Sequence, residues 1–176
     1  MLPFFLFTLG LFYSCLASSY QIDLILFAPR QKNPTNTLLL TKVPLLPIPP
    51  NTLTLQRDPT QPYALLPTNL SNLQKESYIL QHHSKYQILG HYSWKQSHTH
   101  QNRQVALPLI NHHGWQIQGT VQVSQSNYYL FRADLQCSPS TDPLSSFTVA
   151  QKQRLKKNTV YFLDHPEVGM LVKISG

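Results

Sequence analysis

The sequence predicts an α+β domain: mainly an antiparallel β-sheet meander, one principal helix covering one face, and a Pro-rich extended segment. Three observations carry that expectation. Several runs after residue 86 alternate apolar and polar side chains with the two-residue period of a strand, and short connections join them. One stretch, "SNLQKESYILQHHSKY", has helical spacing with start and stop signals. Nine of the fourteen prolines fall within residues 29–67, and so dense a run neither propagates a helix nor fills the middle of a sheet.

The first seventeen residues, "MLPFFLFTLGLFYSCLA", carry no charged side chain. Followed by small and polar residues, this run reads as a secretory signal over residues 1–17 and is shorter than the roughly 20 residues of a membrane span. Cys15 and Ala17 take the −3 and −1 positions of a cut after Ala17. Acylation of Cys15 is the weaker reading, because Phe12 and Tyr13 stand where Leu and a small residue are preferred. Cleavage leaves residues 18–176, a single domain of 159 residues (176 minus 17), long enough for one core. Cys137 is then the remaining cysteine, so no intramolecular disulfide forms and packing holds the domain together. The expected destination is outside the cytosol, with no stable membrane span after cleavage.

"SYQIDLILFA", residues 19–28, is nearly continuous apolar sequence and reads as a buried strand. Asp23 interrupts it, and its carboxyl group must find donors or face water. Residues 29–67 read as an extended connection that lies over the domain or moves freely, with little chemistry of its own. Ser71 and Gln74 form a capping-box pattern, and Leu73, Ser77, Leu80 and Ser84 share a helical face, which predicts a helix over 72–85. Strands follow. "YQILGHYSWKQ" (86–96) alternates imperfectly; "VALPLI" (105–110) and "WQIQGTVQV" (115–123) flank the turn "NHHG". In the latter strand Ile117, Gly119, Val121 and Val123 oppose Gln116, Gln118, Thr120 and Gln122. In "YYLFRADLQC" the apolar face is Tyr129, Phe131, Ala133 and Leu135, and "FTVAQKQRLKK", "TVYFL" and "VGMLVKIS" complete the set.

Fourteen Lys and Arg against seven Asp and Glu leave a formal charge of +7, all of it beyond the signal, which suits an anionic partner. Export and the lack of any recognition-helix or RNA-binding pattern argue against nucleic acid. Within "QKQRLKK", Lys152, Arg154 and Lys156 alternate, so a strand there places three cations on one face. Arg154 is the sharpest member, because its planar fork grips a carboxylate with two hydrogen bonds. Trp94, Tyr92 and Tyr128 are candidate stacking surfaces for sugar rings, with core packing as the alternative. The bland reading of the basic run is a solvated edge strand that uses Lys against aggregation.

Eight histidines raise the question of metal. His98 and His100 would face one way on a strand, but nothing fixes a third ligand among His91, His112 and His113, so no metal or cofactor is assigned. Asp164 and His165 are adjacent and so point to opposite faces of an extended chain, which does not suit a catalytic pair. "DHPE" reads instead as a turn, with Pro166 setting the backbone and Asp164 bonding a nearby amide. No catalytic residue is assigned.

The order of these segments resembles the CsiV family of periplasmic peptidoglycan-binding proteins of gammaproteobacteria. The likeness covers "YQIDLILFAPR", "YQILGHYSWKQ", "GWQIQGTVQV", "NYYLFRADL" and "QRLKKNTVYFLDHPEVGMLVKI". Its most specific piece is Tyr161, Phe162, Leu163, Asp164, His165 and Pro166 followed by Gly169; next is Tyr86, Leu89, His91 and Trp94. The resemblance implies a non-enzymatic protein that binds peptidoglycan. It further implies support of wall synthesis by a bifunctional penicillin-binding protein, through its lipoprotein activator. His165 joins Arg154, Lys156, Lys152, Trp94 and Tyr128 as candidate contacts, while Asp164, Pro166 and Gly169 shape the turn. The family's paired arginines are reduced here to Arg154, and its Arg–Tyr–Leu–His strand appears as Asn127, Tyr128, Tyr129 and Leu130. Two other classes stay open: a protein-only periplasmic scaffold and a His-rich metal-binding protein.

Overall fold

The near-continuous apolar run of the first strand has a simple origin: it is buried on both faces. β1 (Ser19–Pro29) lies inside a four-stranded sheet, in the order β3-β1-β10-β9, where β3 is Tyr86–Ser97, β9 is Val160–Leu163 and β10 is Gly169–Ser175. Ile22, Leu24 and Leu26 point into the main core, whereas Ile25 and Phe27 point the other way, toward Leu73. This computed structural model describes residues 19–30, 47–58, 63–97, 102–139 and 146–176. The expected signal at 1–17 and the pair His98 and His100 lie outside the described residues.

The second sheet has six strands. β2 (Leu53–Thr54), β4 (Gln104–Ala106), β6 (Trp115–Gln125), β7 (Tyr129–Pro139) and β8 (Phe147–Leu155) run in that order, and β5 (Ile110–His112) pairs with β6. All pairings between named strands are antiparallel except that of β2 with β4. The α+β class therefore holds, and β6, β7 and β8 form a meander. The strands nevertheless divide between two sheets, a partition that alternation alone does not reveal. Met170, Val172 and Ile174 from one sheet and Val121, Val123, Phe131 and Leu135 from the other share a single core. Tyr20 and Tyr129 meet across it with ring centroids 5.2 Å apart.

α1 (Gln74–His82) covers the outer face of the four-stranded sheet, where Leu73 and Leu80 pack with Ile25, Phe27, Tyr86 and Ile88. It is shorter than the 72–85 expected from the sequence. Leu73, not Ser71, is the N-cap, and no side chain caps it. Ser71 Oγ instead accepts the amide of Leu73 at 3.1 Å, and the Gln74 side chain donates to the carbonyl of Asn69 in the preceding 3-10 turn, Thr68–Leu70. At the other end His83 turns to extended backbone, which leaves Ser84 and Lys85 outside the helix.

Two departures from strict alternation have local causes. The register of β1 with β3 shifts between Leu26 and Phe27, opposite Gly90 and Ile88, so Leu89 is the extra residue of a β-bulge and the period of "YQILGHYSWKQ" breaks there. "VALPLI" is not one strand: β4 ends at Ala106 and β5 begins at Ile110, because Pro108 has no amide to give a ladder. The "NHHG" turn closes where expected, with His113 (φ 54°) and Gly114 (φ 77°) supplying the left-handed backbone of a two-residue hairpin.

The described part of the Pro-rich segment lies on the domain. Leu55 and Tyr63 are core residues, and Leu55 and Leu66 donate their amides to the carbonyls of Ala106 and Ser93 at 3.2 and 2.7 Å.

Candidate functional site

The outer face of the six-stranded sheet is where polar chemistry collects. Alternation sends Gln116, Gln118, Thr120 and Gln122 of β6 away from the core, and the register of β6 with β7 sets Gln118 against Gln136, Thr120 against Asp134 and Gln122 against Arg132. The register of β7 with β8 then sets Leu130 opposite Arg154, Arg132 opposite Lys152, and Asp134 opposite Ala150. Arg132, Lys152 and Arg154 are all exposed. Directly opposed residues of an antiparallel pair lie about 5 Å apart, and successive residues on one face about 7 Å. Three cations thus occupy two neighbouring rungs. Like charges directly opposed in a ladder are unfavourable, so Arg132 against Lys152 is the kind of pair that an anion relieves.

Beside these rungs lies a groove of about 410 Å³. Gln104, Gln118, Thr120, Asp134, Gln136 and Thr148 contribute polar groups to a lining that is otherwise mainly apolar, and Pro47, Ile48 and Pro49 form one side of it. The size falls within the range of roughly 300–1,000 Å³ typical of ligand clefts. The segment for which the sequence suggested little chemistry thus lines a groove on this face.

Arg154 and Tyr128 are brought together. Tyr128 sits in the β6–β7 turn, 36% exposed, and the Arg154 guanidinium carbon lies 4.6 Å from the centre of its ring. Lys152 joins them one step along the strand. Lys156 does not: β8 ends at Leu155, and the Lys156 amide donates to Tyr161 Oη at 2.9 Å as the chain crosses to the other sheet. The third cation on the face is Arg132 of β7. Its outward side was readable from "YYLFRADLQC", where it opposes the apolar set, but its place beside Lys152 comes from the β7–β8 register.

Trp94 requires a correction. Its side chain is 0% exposed, packed in the core between the two sheets, so it offers no platform to a sugar. Tyr92 is buried as well; its hydroxyl donates to the carbonyl of Pro108 at 3.3 Å, and burial pushes its pKa up to about 12. Both lie on the inner face of β3 because their neighbours across the ladder, Ile22 and Leu24, do.

The "DHPE" segment is a turn, held differently from the expectation. His165 Nδ1, rather than the Asp164 carboxyl group, accepts backbone amides, those of Glu167 and Val168 at 3.2 and 3.4 Å. The ring also stacks on Phe147, at 5.6 Å and 9° between planes. Gly169 follows because a side chain there would collide with Phe27: a Cβ would lie 2.5 Å from the ring.

A second polar group sits on the outer face of the other sheet. Asp23, fully buried, accepts hydrogen bonds from Ser93 Oγ (2.6 Å), Gln21 Nε2 (3.0 Å) and Asn72 Nδ2 (3.2 Å), so the donors that its burial demanded are present. His91 lies beside it, with Nε2 2.8 Å from Ser71 Oγ; burial lowers its pKa, and the nearby Asp23 opposes that shift. His91 is thereby engaged in the structure around α1. Among the described residues no group of three His, Cys, Asp or Glu side chains could hold a metal ion, and no helix is long and apolar enough to cross a membrane.

No curated protein and no solved structure matches the chain. A family model, that of the peptidoglycan-binding protein CsiV, matches residues 2–175. With the match running almost from end to end, through the Pro-rich segment as well as the strands, the chain belongs to the CsiV family of peptidoglycan-binding proteins.

Proposed function

We propose that this protein is a periplasmic, non-enzymatic peptidoglycan-binding module that supports wall synthesis by a bifunctional penicillin-binding protein, through its lipoprotein activator. The family supplies the polymer as ligand. The observation that carries the choice of surface is the cationic pair of rungs on the six-stranded sheet, Arg132 opposite Lys152 with Arg154 beside them. Peptidoglycan carries free carboxylates, and an open strip of cations next to a shallow groove suits docking without bond cleavage.

A pull-down on purified sacculi across a salt series tests this reading. The mature protein is expected to sediment with sacculi at low salt and to be released as salt rises, because exposed charges are screened beyond about 10 Å at 0.1 M. Lys152→Ala and Arg154→Ala are expected to weaken retention. Protein that stays in the supernatant at low salt overturns the binding claim. Normal retention of both variants overturns the assignment of the face alone.

A further inference from the structure

Resting on that reading, we infer that the face recognises the stem peptide of peptidoglycan rather than its sugar backbone. Three features of the surface point that way. First, among the described residues Tyr128 is the aromatic ring beside the cations, and Arg154 already covers it on one side. Second, the groove lining includes Gln104, Thr120 and Thr148, whose amide and hydroxyl groups match the donors and acceptors of a peptide backbone. Third, the charges are ordered. Asp134 lines the groove, and the next rung along the same face carries Arg132 and Lys152, followed by Arg154.

That order complements a stem peptide, which carries free carboxylates and, on its diamino acid, a free ammonium group. From the Asp134 rung to the Arg132–Lys152 rung is about 7 Å, and to Arg154 about 14 Å. An extended peptide of three or four residues spans about 10–14 Å. Lying from groove to cations, such a chain sets its ammonium against Asp134 and its carboxylates against Arg132, Lys152 and Arg154. A carboxylate between Arg132 and Lys152 also relieves the repulsion of that opposed pair. In the intact polymer the lactyl carboxyl group of the disaccharide is tied up in its amide bond to the stem, so the sugar backbone itself has no charge to meet either end.

Calorimetric titration of the full mature chain distinguishes the two parts of the polymer. The probes are the free stem tripeptide with its diamino acid and di-N-acetylchitobiose, a neutral N-acetylated disaccharide without the lactyl carboxyl group. The tripeptide is expected to bind at least about tenfold more tightly, the effect of one lost charge-assisted contact. Arg132→Gln and Lys152→Gln are each expected to weaken tripeptide binding by about tenfold, and Asp134→Asn by a smaller factor, with thermal midpoints not lowered because all three side chains lie on the surface. Equal or tighter binding of the disaccharide overturns the inference, as does tripeptide binding that is indifferent to Arg132→Gln and Lys152→Gln. If sacculi are retained but the tripeptide does not bind, this inference falls and the proposed function stands. If sacculi are not retained either, both fall.

Discussion

Asp23 illustrates how one residue interrupts a hydrophobic strand without weakening it. Its carboxyl group sits at 0% exposure and is met by Ser93 from the neighbouring strand, Gln21 from its own, and Asn72 from the loop before α1. Asp23→Ala leaves those donors facing a void, and a loss of about 3 kcal/mol in denaturant unfolding is expected, since hydrogen bonds to a charged group are worth about 1.5–3 kcal/mol each. His91 sets a pH dependence in the same region. Burial makes the folded protein bind a proton at His91 less readily than the unfolded chain does, so the unfolded state takes up more protons as pH falls. Stability from this residue is thus full above the unfolded value of about 6.5 and declines as pH drops from there toward the folded value. The thermal midpoint is expected to fall on acidification from pH 7 to 5, and His91→Gln to flatten that fall. The need of Asp23 for partners was legible in the sequence. Their identity was not, because Ser93 and Asn72 are brought to it only by strand pairing and by the helix connection.

Elements differ in how much of their own sequence they reveal. β6 and β7 read clearly, because each has a core on one side and solvent or groove on the other. β3 read poorly, because the bulge at Leu89 reverses the faces of the residues that precede it. α1 proved shorter than its pattern, because the Gln74 side chain serves Asn69 in the preceding turn and Ser71 bonds the amide of Leu73. β10 depends on its first residue. Gly169 opposes Phe27, whose ring stacks with Phe162 at 5.8 Å and meets Tyr86 edge-on at 5.5 Å. A methyl group placed 2.5 Å from that ring pushes apart three aromatic side chains. Gly169→Ala is therefore expected to cost about 1–3 kcal/mol, the usual range for overpacking, measured as a lower thermal midpoint. The cationic strip belongs to this scale as well: its residues lie on two strands, and only the β7–β8 register sets Arg132 against Lys152.

At the scale of the whole molecule, the two sheets close over a core that contains the single described cysteine. Cys137 is fully buried, and burial pushes its thiol up to about 12. The native protein is expected to resist a thiol reagent at pH 8, and labelling should track unfolding when denaturant is added; rapid labelling of the native state would contradict the packing. Among the described residues the two outer faces differ. One is covered by α1 and holds the Asp23 cluster, whereas the other carries the groove and the cations. Sequence alternation assigned side chains to an inside and an outside, yet with two sheets there are two outsides. Trp94 was misjudged for a related reason: as the sequence alone shows it, an aromatic residue in an amphipathic strand looks the same whether its face meets water or a second sheet.

By itself the sequence determined the class of fold, the strands whose faces differ in polarity, the basic balance, and the family likeness in its terminal box. Those properties follow from local periodicity and composition, which are written along the chain. Tertiary structure alone decided that Arg132 replaces Lys156 on the basic face, that Trp94 is core, and that Pro47–Pro49 walls a groove beside Asp134. Each of these depends on which distant segment lies opposite. Strand register and sheet packing set that pairing through contacts between residues far apart in sequence.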